Sequence, residues 1–361
     1  MDNKFLLNGT SVFLGNNSLL SINRFIKSHR FTTIFILTDN NSKKHCLKDL
    51  FNQAPLLKNS SVIEIPSGES SKSLQIFQSI CSGLIKQNID RNSLIINLGG
   101  GVICDLGGFV ASVLKRGIKF INIPTTLMSQ IDASIGGKVA LNLKQNKNQI
   151  GLFSNPELVI VYPRYLQSLS NIDFLAGTAE IFKYGLIHDK YFWEKVSNTA
   201  MSKKSDLTDI IAESISIKIS IVKSDYYDWE NRRKLNFGHS ISHAIESVFF
   251  SKKKPISHGF ALVVGMICAT YISQNKFKFS QNILNNIVHK LLSVFPPINL
   301  DKRYDSLILK YLTSDKKNNK EIYNFTLIKG IGDSIVNCPV SKKRVVKSLD
   351  YYRKHVASNF K

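Results

Sequence analysis

The sequence predicts an α/β domain with a doubly wound parallel sheet, followed by an all-helical domain. In the first half, short apolar runs alternate with helical patterns, which is typical of a parallel sheet covered by helices. Three adjacent glycines, Gly99 to Gly101, follow one of these runs and predict a tight turn into a helix. Beyond about residue 170 the apolar residues recur with the 3.6-residue period of helices. We therefore expect two domains in the chain of 361 residues, at 1–170 and 171–361.

The strands of the first domain are predicted from apolar runs, of which the first, third and fifth are almost continuous. Such runs are expected where a strand is buried on both faces of a parallel sheet. The predicted strands are 32–37, 61–65, 93–98, 119–123 and 158–161, and the helices between them are 44–51, 74–87 and 102–114.

The second domain has a different pattern, with strand-like alternation only at 323–328. Its predicted helices are 176–188, 207–225, 240–250, 260–275 and 280–294. The longest apolar stretch, 260–272, is too short to span a bilayer, so it predicts a buried helix.

Composition limits the class of protein. Five cysteines without metal or disulfide spacing, and an N-terminus without a signal peptide, favour a reducing, cytoplasmic location. The net charge of +22 would suit a nucleic-acid or membrane partner. The lysines are spread along the chain, however, and Asn and Ile are also abundant, which indicates a compositional bias. We therefore expect neither partner, but a positive site for an anionic substrate.

The glycine triplet is the first candidate binding motif. A glycine-rich turn between a strand and a helix commonly holds the diphosphate of a dinucleotide, at the N-terminal end of the helix. The match to G-x-G-x-x-G is imperfect because Cys104 stands where a third glycine is expected. By itself this motif is also compatible with a purely structural turn.

A second motif combines Glu180, His239, His243 and His258. Carboxylate and imidazole groups are suitable ligands for Zn²⁺. His239 and His243 lie one helical turn apart, so both could bind a metal, or one could bind it while the other moves protons. The alternative is a set of unrelated histidines at helix ends.

Basic residues form the third motif. Lys138 follows two glycines, Lys147 precedes Asn148, and Lys218 and Arg232 flank a polar loop before Asn236. Converging cations suit a substrate that carries phosphate and carboxylate groups. Lys183 follows Glu180 by three residues, which is also the spacing of a surface ion pair, and each lysine could simply be solvated.

Four strings make the chain resemble the 3-dehydroquinate synthase family over nearly its whole length. These are GGGVICDLGGFVA, RGIKFINIPTTLMSQIDASIGGK, GTAEIFKYG and LNFGHSISHAIE. Glycerol dehydrogenases and other sugar-phosphate cyclases have related folds. The combination of basic residues resembles the dehydroquinate synthase set: Arg116, Lys138, Lys147-Asn148, Lys183 and Arg232.

The resemblance implies a Rossmann-like NAD-binding domain and a helical metal-binding domain. It implies that Glu180, His239 and His258 bind Zn²⁺, for which Co²⁺ could substitute, and that His243 is catalytic without binding the metal. It also implies a homodimer, with Arg116 reaching across the interface.

The remaining site residues follow from the same resemblance. The expected catalytic residues are Lys138, His243, Lys183, Arg116 and Asn148. The expected substrate-binding residues are Asp132, Lys147, Lys218, Arg232, Asn236 and Lys316, with Lys317 as an alternative to Lys316. The expected NAD-binding residues are Asp39, Asn41, Glu69, Lys72, Gly100, Gly101, Val102, Asp105, Thr125, Thr126, Lys138, Lys147 and Ser168.

The chain departs from the family pattern at several positions. Cys104 and Asn146 replace glycines, and Asp225-Tyr226 replaces an acidic pair. Phe260 stands where the family has a glutamate after His258-Gly259, so we expect it to remove a contact behind the metal ligands.

The implied reaction converts 3-deoxy-D-arabino-heptulosonate 7-phosphate to 3-dehydroquinate and phosphate. It combines transient oxidation by NAD, phosphate elimination, re-reduction and an internal aldol closure. The alternatives are a metal-dependent polyol dehydrogenase, a cyclase for another heptulose phosphate, and a decayed protein retained for binding.

Overall fold

A computed structural model describes residues 3–143, 146–201, 207–313 and 322–359, without the side chains of 146 and 357–359. The chain forms two compact units. Unit 1 comprises Met1–Phe174 with Lys204–Lys223, and unit 2 comprises Leu175–Lys203 with Ser224–Lys361.

The strands of the described chain are β1 (Asn3–Leu7), β2 (Thr10–Leu14), β3 (Ile34–Asp39), β4 (Ser61–Ile65), β5 (Leu94–Gly99), β6 (Lys119–Pro124), β7 (Lys138–Leu143), β8 (Asn146–Phe153), β9 (Leu158–Val161), β10 (Ile322–Gly330) and β11 (Asp333–Ser341). The helices are α1 (Leu20–Lys27), α2 (Asn40–Gln53), α3 (Leu74–Lys86), α4 (Gly101–Val113), α5 (Asn171–His188), α6 (Lys190–Asn198), α7 (Thr208–Ser224), α8 (His239–Ser251), α9 (His258–Phe277), α10 (Gln281–Val294), α11 (Asp305–Thr313) and α12 (Lys342–Asn359).

Unit 1 is built on a seven-stranded sheet in the order β1-β2-β9-β6-β5-β3-β4. Adjacent strands of this sheet are parallel, except that β1 and β2 are antiparallel. Successive side chains of a strand point to opposite faces, and β5 therefore feeds two cores. Ile96 packs in the core that includes residues of α2, and Ile95 packs in the core that includes residues of α3 and α4. The predicted doubly wound α/β class is confirmed.

All five predicted strands of unit 1 are present, with ends shifted by at most two residues. The prediction missed β1, β2, α1 and the antiparallel hairpin of β7 and β8. The hairpin carries polar side chains such as Lys138 and Asn142, which disguised its alternation.

The described residues of unit 2 form helices and the antiparallel hairpin of β10 and β11. Four predicted helices correspond to α5, α8, α9 and α10, whereas the fifth, 207–225, is α7, which belongs to unit 1. The prediction missed α6, α11 and α12. The run predicted at 323–328 is the centre of β10. No helix among the described residues has the length and apolar character needed to cross a membrane.

Candidate active site

Three helices of unit 2 bring Glu180, His239 and His258 together. Glu180 lies within α5, whereas the two histidines are the first residues of α8 and α9. The Nε2 atoms of His239 and His258 each lie 3.4 Å from the Oε1 atom of Glu180. One potential ligand atom of each residue lies within 4.8 Å of those of the other two, so the three residues could hold a metal ion. Unrelated positions of the histidines, the alternative considered from sequence, are thereby excluded.

A glycine next to His258 makes this convergence sterically possible. A Cβ atom at Gly259 would lie only 1.9 Å from the backbone carbonyl oxygen of Ala176 in α5. Since no side chain can occupy that space, α9 can begin against α5 only with glycine at this position.

The groups around Glu180 keep its carboxylate ionised although it is buried. Lys183 forms an ion pair with Glu180, and both side chains are 1% exposed, so this is not a surface pair. Burial by itself would raise the pKa of Glu180, but Lys183 and hydrogen bonds from His239 and His258 hold that pKa well below its usual range. Burial, and then Lys183, lower the pKa of His239, which favours the neutral imidazole that a metal requires.

Glu246 is a site residue that sequence reasoning missed. Its Oε1 atom lies 2.7 Å from Nδ1 of His258 and accepts a hydrogen bond of 3.1 Å from Ser242 Oγ. Burial opposes protonation of His258, yet Glu246 and Glu180 raise its pKa to about 10. Two carboxylates thus attract positive charge at this imidazole. The available signal was that Glu246, seven positions after His239, is the one acidic residue of α8.

The contact from Glu246 bears on the expected effect of Phe260. His258 has a carboxylate behind it from α8, although no carboxylate stands at position 260. That Phe260 weakens the metal site stays a prediction.

His243 lies one turn into α8 and is exposed. Its ring centroid is 5.2 Å from that of His239 and 5.9 Å from that of His258. A second group that could hold a metal contains His243, Glu246 and His258. Geometry alone therefore allows His243 to be a ligand or a neighbouring proton carrier.

Arg232 lies in the turn that precedes α8 and is almost fully buried. Its backbone N–H donates to Asp225 Oδ2 at 3.0 Å, and its guanidinium donates to the carbonyl oxygen of Tyr226 at 2.6 Å. Because residue 226 contributes a backbone atom here, tyrosine can replace the family's acidic residue without loss of this contact.

In unit 1, four predicted residues join one hydrogen-bond network. The ammonium of Lys72 pairs with Asp105 and donates to Oδ1 of Asn148. Asn142, which the sequence analysis did not single out, donates to Glu69 at 2.7 Å and accepts from the Asn148 N–H at 2.9 Å. Burial raises the pKa of Asp105 above its usual value, although Lys72 opposes the shift.

The glycine turn lies at the carboxyl end of β5. Gly100 caps α4, and the N–H of Thr125 donates to the Gly99 carbonyl at 3.0 Å. The hydroxyl oxygen of Thr125 also lies 3.3 Å from that of Ser42. The Ser42 N–H donates to Oδ1 of Asp39, which caps α2. The carboxyl ends of β3, β5 and β6 thus meet here, where open α/β sheets bind ligands.

The role expected of a third glycine falls to Gly107 rather than to position 104. A Cβ atom at Gly107 would lie 1.9 Å from Oδ1 of Asn97 in β5, so only glycine permits this approach of α4 to the sheet. Cys104 is buried in the core formed with α4.

The other predicted residues are more dispersed. Asp132 pairs with Lys218, and Ser168 donates to the Tyr165 carbonyl at 2.9 Å. The rest occupy strand or helix ends: Asn41 in the first turn of α2, Val102 in that of α4, Arg116 in the exposed turn after α4, Thr126 after β6, Lys138 at the start of β7, and Lys147 in β8. Asn236 lines a cavity with His239 and His243. Lys316 and Lys317 lie outside the described residues.

Comparison with known sequences gives a consistent assignment. The family model for the 3-dehydroquinate synthase N-terminal part matches residues 62–176, and that for the C-terminal part matches residues 177–318. The 3-dehydroquinate synthase of Parabacteroides distasonis is 36% identical over 332 residues, which cover 91% of this chain and 94% of that protein. The enzyme of Clostridium tetani is 36% identical over 334 residues, covering 90% and 86%.

Solved structures share the fold. A 2-deoxy-scyllo-inosose synthase complexed with carbaglucose-6-phosphate, NAD⁺ and Co²⁺ has a TM-score of 0.86 at 24% identity, covering 97% of this chain and 99% of that chain. A 2-epi-5-epi-valiolone synthase from Streptomyces hygroscopicus, with NAD⁺ and Zn²⁺ bound, has a TM-score of 0.78 at 20% identity, covering 96% and 97%. The two family models and the curated relatives together cover most of the sequence. The chain therefore belongs to the 3-dehydroquinate synthase family.

Proposed function

We propose that this protein converts 3-deoxy-D-arabino-heptulosonate 7-phosphate to 3-dehydroquinate and inorganic phosphate, as a carbon–oxygen lyase acting on phosphates. The observation that carries the proposal is the cluster of the buried Glu180 with the half-buried His239 and His258, within a chain that matches the family over most of its length. This reaction is a step of the shikimate pathway, toward aromatic amino acids.

The donor set of unit 2 fits a divalent metal ion. A carboxylate that stays ionised when buried, with two imidazoles around it, is typical of Zn²⁺ sites. We propose Zn²⁺, with Co²⁺ as a substitute, and NAD at the glycine turn and the Lys72 network of unit 1. When bound, the metal polarises substrate hydroxyls and NAD accepts and returns a hydride.

The chain's own residues then have distinct roles. His243 is suited to carry a proton from a substrate hydroxyl, because imidazole titrates near neutral pH. Lys138, Lys147 and Arg116 would steer the phosphate, and Lys183 with Asn148 would orient the substrate. Asp132, Lys218, Arg232, Asn236 and Lys316 would bind its remaining polar groups.

NAD contacts would come from the residues predicted above. Besides the glycine turn with Val102, these are Asp39, Asn41, Glu69, Lys72, Asp105, Thr125, Thr126 and Ser168. We also propose a cytoplasmic homodimer in which Arg116 contacts the partner's substrate, with 1–170 as the NAD-binding domain and 171–361 as the metal-binding domain.

Purified protein with zinc, NAD⁺ and the heptulosonate phosphate provides the test. We expect release of inorganic phosphate without net accumulation of NADH, because the cofactor is regenerated in each turnover. Steady NADH production without phosphate release would instead indicate a polyol dehydrogenase and would refute the proposal.

A further inference from the structure

A cavity of about 230 Å³ in unit 2 is lined by an arginine that none of the sequence motifs includes. Its lining includes Arg233 together with Asn236, His239 and His243, and it also contains Asp228, Ser240 and four residues of the β10–β11 hairpin. The hairpin residues are Asn324, Phe325, Thr326 and Asn337.

Arg233 is held at both its backbone and its side chain. The hydroxyl of Thr326 donates to the Arg233 carbonyl oxygen at 2.6 Å. A guanidinium N–H donates to Oδ1 of Asn337 at 2.9 Å, and the Nε–H donates to the carbonyl oxygen of Asp228 at 3.4 Å. Because an arginine side chain loses considerable rotamer freedom when held in this way, the guanidinium is oriented before any ligand binds.

An irregularity of the hairpin places Asn337 for this contact. Phe325 pairs with Cys338 and Leu327 with Ile335, so Thr326 alone faces two residues of β11. This is a β-bulge, and bulges often redirect a side chain next to an active site. Asn337, one of these two residues, has a φ of 57°, a left-handed conformation that asparagine tolerates well.

The chemistry of the cavity suits an anion with several oxygens. The guanidinium of Arg233 has N–H donors beyond those that contact Asp228 and Asn337, and the amide of Asn236 adds a neutral donor. The amide of Asn324 already donates to Oδ1 of Asn337 at 3.5 Å. The carboxylate of Asp228 also lines the cavity and opposes an anion, so a ligand must gain more from the donors than it loses to this charge.

We propose that Arg233 binds the phosphate oxygens of the sugar phosphate beside His243, and that Thr326 and Asn337 are its positioning residues. The inference rests on the proposed function for the identity of the ligand. It adds a specificity-determining contact that composition and motifs did not indicate.

Binding of inorganic phosphate to the full chain, loaded with zinc and NAD⁺, tests the subsite by titration calorimetry. We expect Arg233→Gln to weaken phosphate binding about ten-fold or more, and Arg233→Lys to weaken it less. The matched control is Arg303→Gln, since Arg303 is a surface arginine paired with Asp301 and should leave phosphate affinity unchanged. In steady-state kinetics, Arg233→Gln should raise KM for the sugar phosphate more than it lowers kcat.

Two changes at Asn337 separate positioning from simple stability. Asn337→Gly retains the left-handed backbone but removes the acceptor, and Asn337→Asp retains an acceptor but adds negative charge. Both should weaken phosphate binding several-fold. Wild-type phosphate affinity in Arg233→Gln would overturn the inference, as would unchanged affinity in both Asn337 variants. Phosphate binding that depends on Arg233 in a protein without turnover would support it while refuting the proposed reaction.

Discussion

Glu246 illustrates how one buried carboxylate can prepare a neighbouring imidazole for a metal. It contacts Nδ1 of His258, so that Nε2 of the same ring faces Glu180. A carboxylate behind a histidine ligand orients the ring and increases its basicity. Ser242 holds the Glu246 carboxylate from the same helix.

Replacing this carboxylate should weaken the metal site. For Glu246→Gln we expect zinc affinity to fall about 10- to 100-fold, because glutamine stabilises the ring less strongly. Competition with a chelator of known affinity measures the effect. Glu194→Gln, at an exposed surface pair, is the control. Equal zinc affinity in Glu246→Gln and the wild type would show that the contact does not support the metal.

Asp225 predicts a pH-dependent contribution to stability. Burial raises its pKa, but N–H groups of Glu230, Arg232 and Trp229 donate to the carboxylate and lower the pKa overall. A carboxyl pKa that is lower in the folded state stabilises the fold above the unfolded pKa, near 4. That contribution is lost as the pH falls through the folded pKa.

Urea unfolding of Asp225→Asn tests this sign. At neutral pH the variant should lose about 1 kcal/mol of unfolding free energy, since its amide accepts the same N–H groups more weakly. The difference from the wild type should shrink as Asp225 becomes protonated. A difference that is constant from neutral to acidic pH would contradict the assignment.

At the scale of elements, the close approach of helices to their neighbours depends on particular glycines. Gly259 lets α9 begin against α5, and Gly107 lets α4 pack against β5. Each approach brings a predicted binding segment into place: the metal ligands in unit 2, and the glycine turn in unit 1.

A pair of glycine substitutions tests this steric argument. Gly259→Ala should cost about 1–3 kcal/mol or more and should reduce zinc retention, because α9 must move away from Ala176. Gly83→Ala is the matched control in α3, where an added Cβ meets nothing within 4 Å. That variant should gain about 0.4–1 kcal/mol. Chemical denaturation and zinc analysis of both variants measure these effects. A Gly259→Ala variant as stable as the wild type would refute the steric argument.

At the scale of the whole molecule, the net charge of +22 opposes folding through repulsion among like charges. Lysine and arginine total 48 against 26 acidic residues. Exposed pairs such as Lys43 with Glu64 offset this repulsion only locally.

Screening should therefore stabilise the protein. Raising NaCl from about 0.05 M to about 0.5 M shortens the range of surface electrostatics, so Tm should rise by a few degrees. Thermal unfolding followed by circular dichroism measures the change. A Tm that falls with added salt would show that attractive pairs outweigh the repulsion.

Much of this protein could be predicted from its sequence because the signals are local. The buried strands of unit 1 are short apolar runs, and the helices of unit 2 repeat every 3.6 residues. The candidate metal ligands could be named from sequence because only a few residue types bind zinc and because the surrounding strings are specific to a family.

Other features arise from contacts between residues distant in sequence, which no local pattern encodes. In the sequence Glu246 is only an acidic residue within a helix, and its role becomes visible where α9 brings His258 against it. The spacing of Lys183 from Glu180 is compatible with a surface ion pair, but packing of the folded chain buries both side chains. The bulge that aims Asn337 at Arg233 depends on the pairing register of two strands. Residue type and periodicity thus determined the fold class and the candidate ligands, whereas burial, close approach and strand register, which exist only in the folded chain, decided their neighbours and charge states.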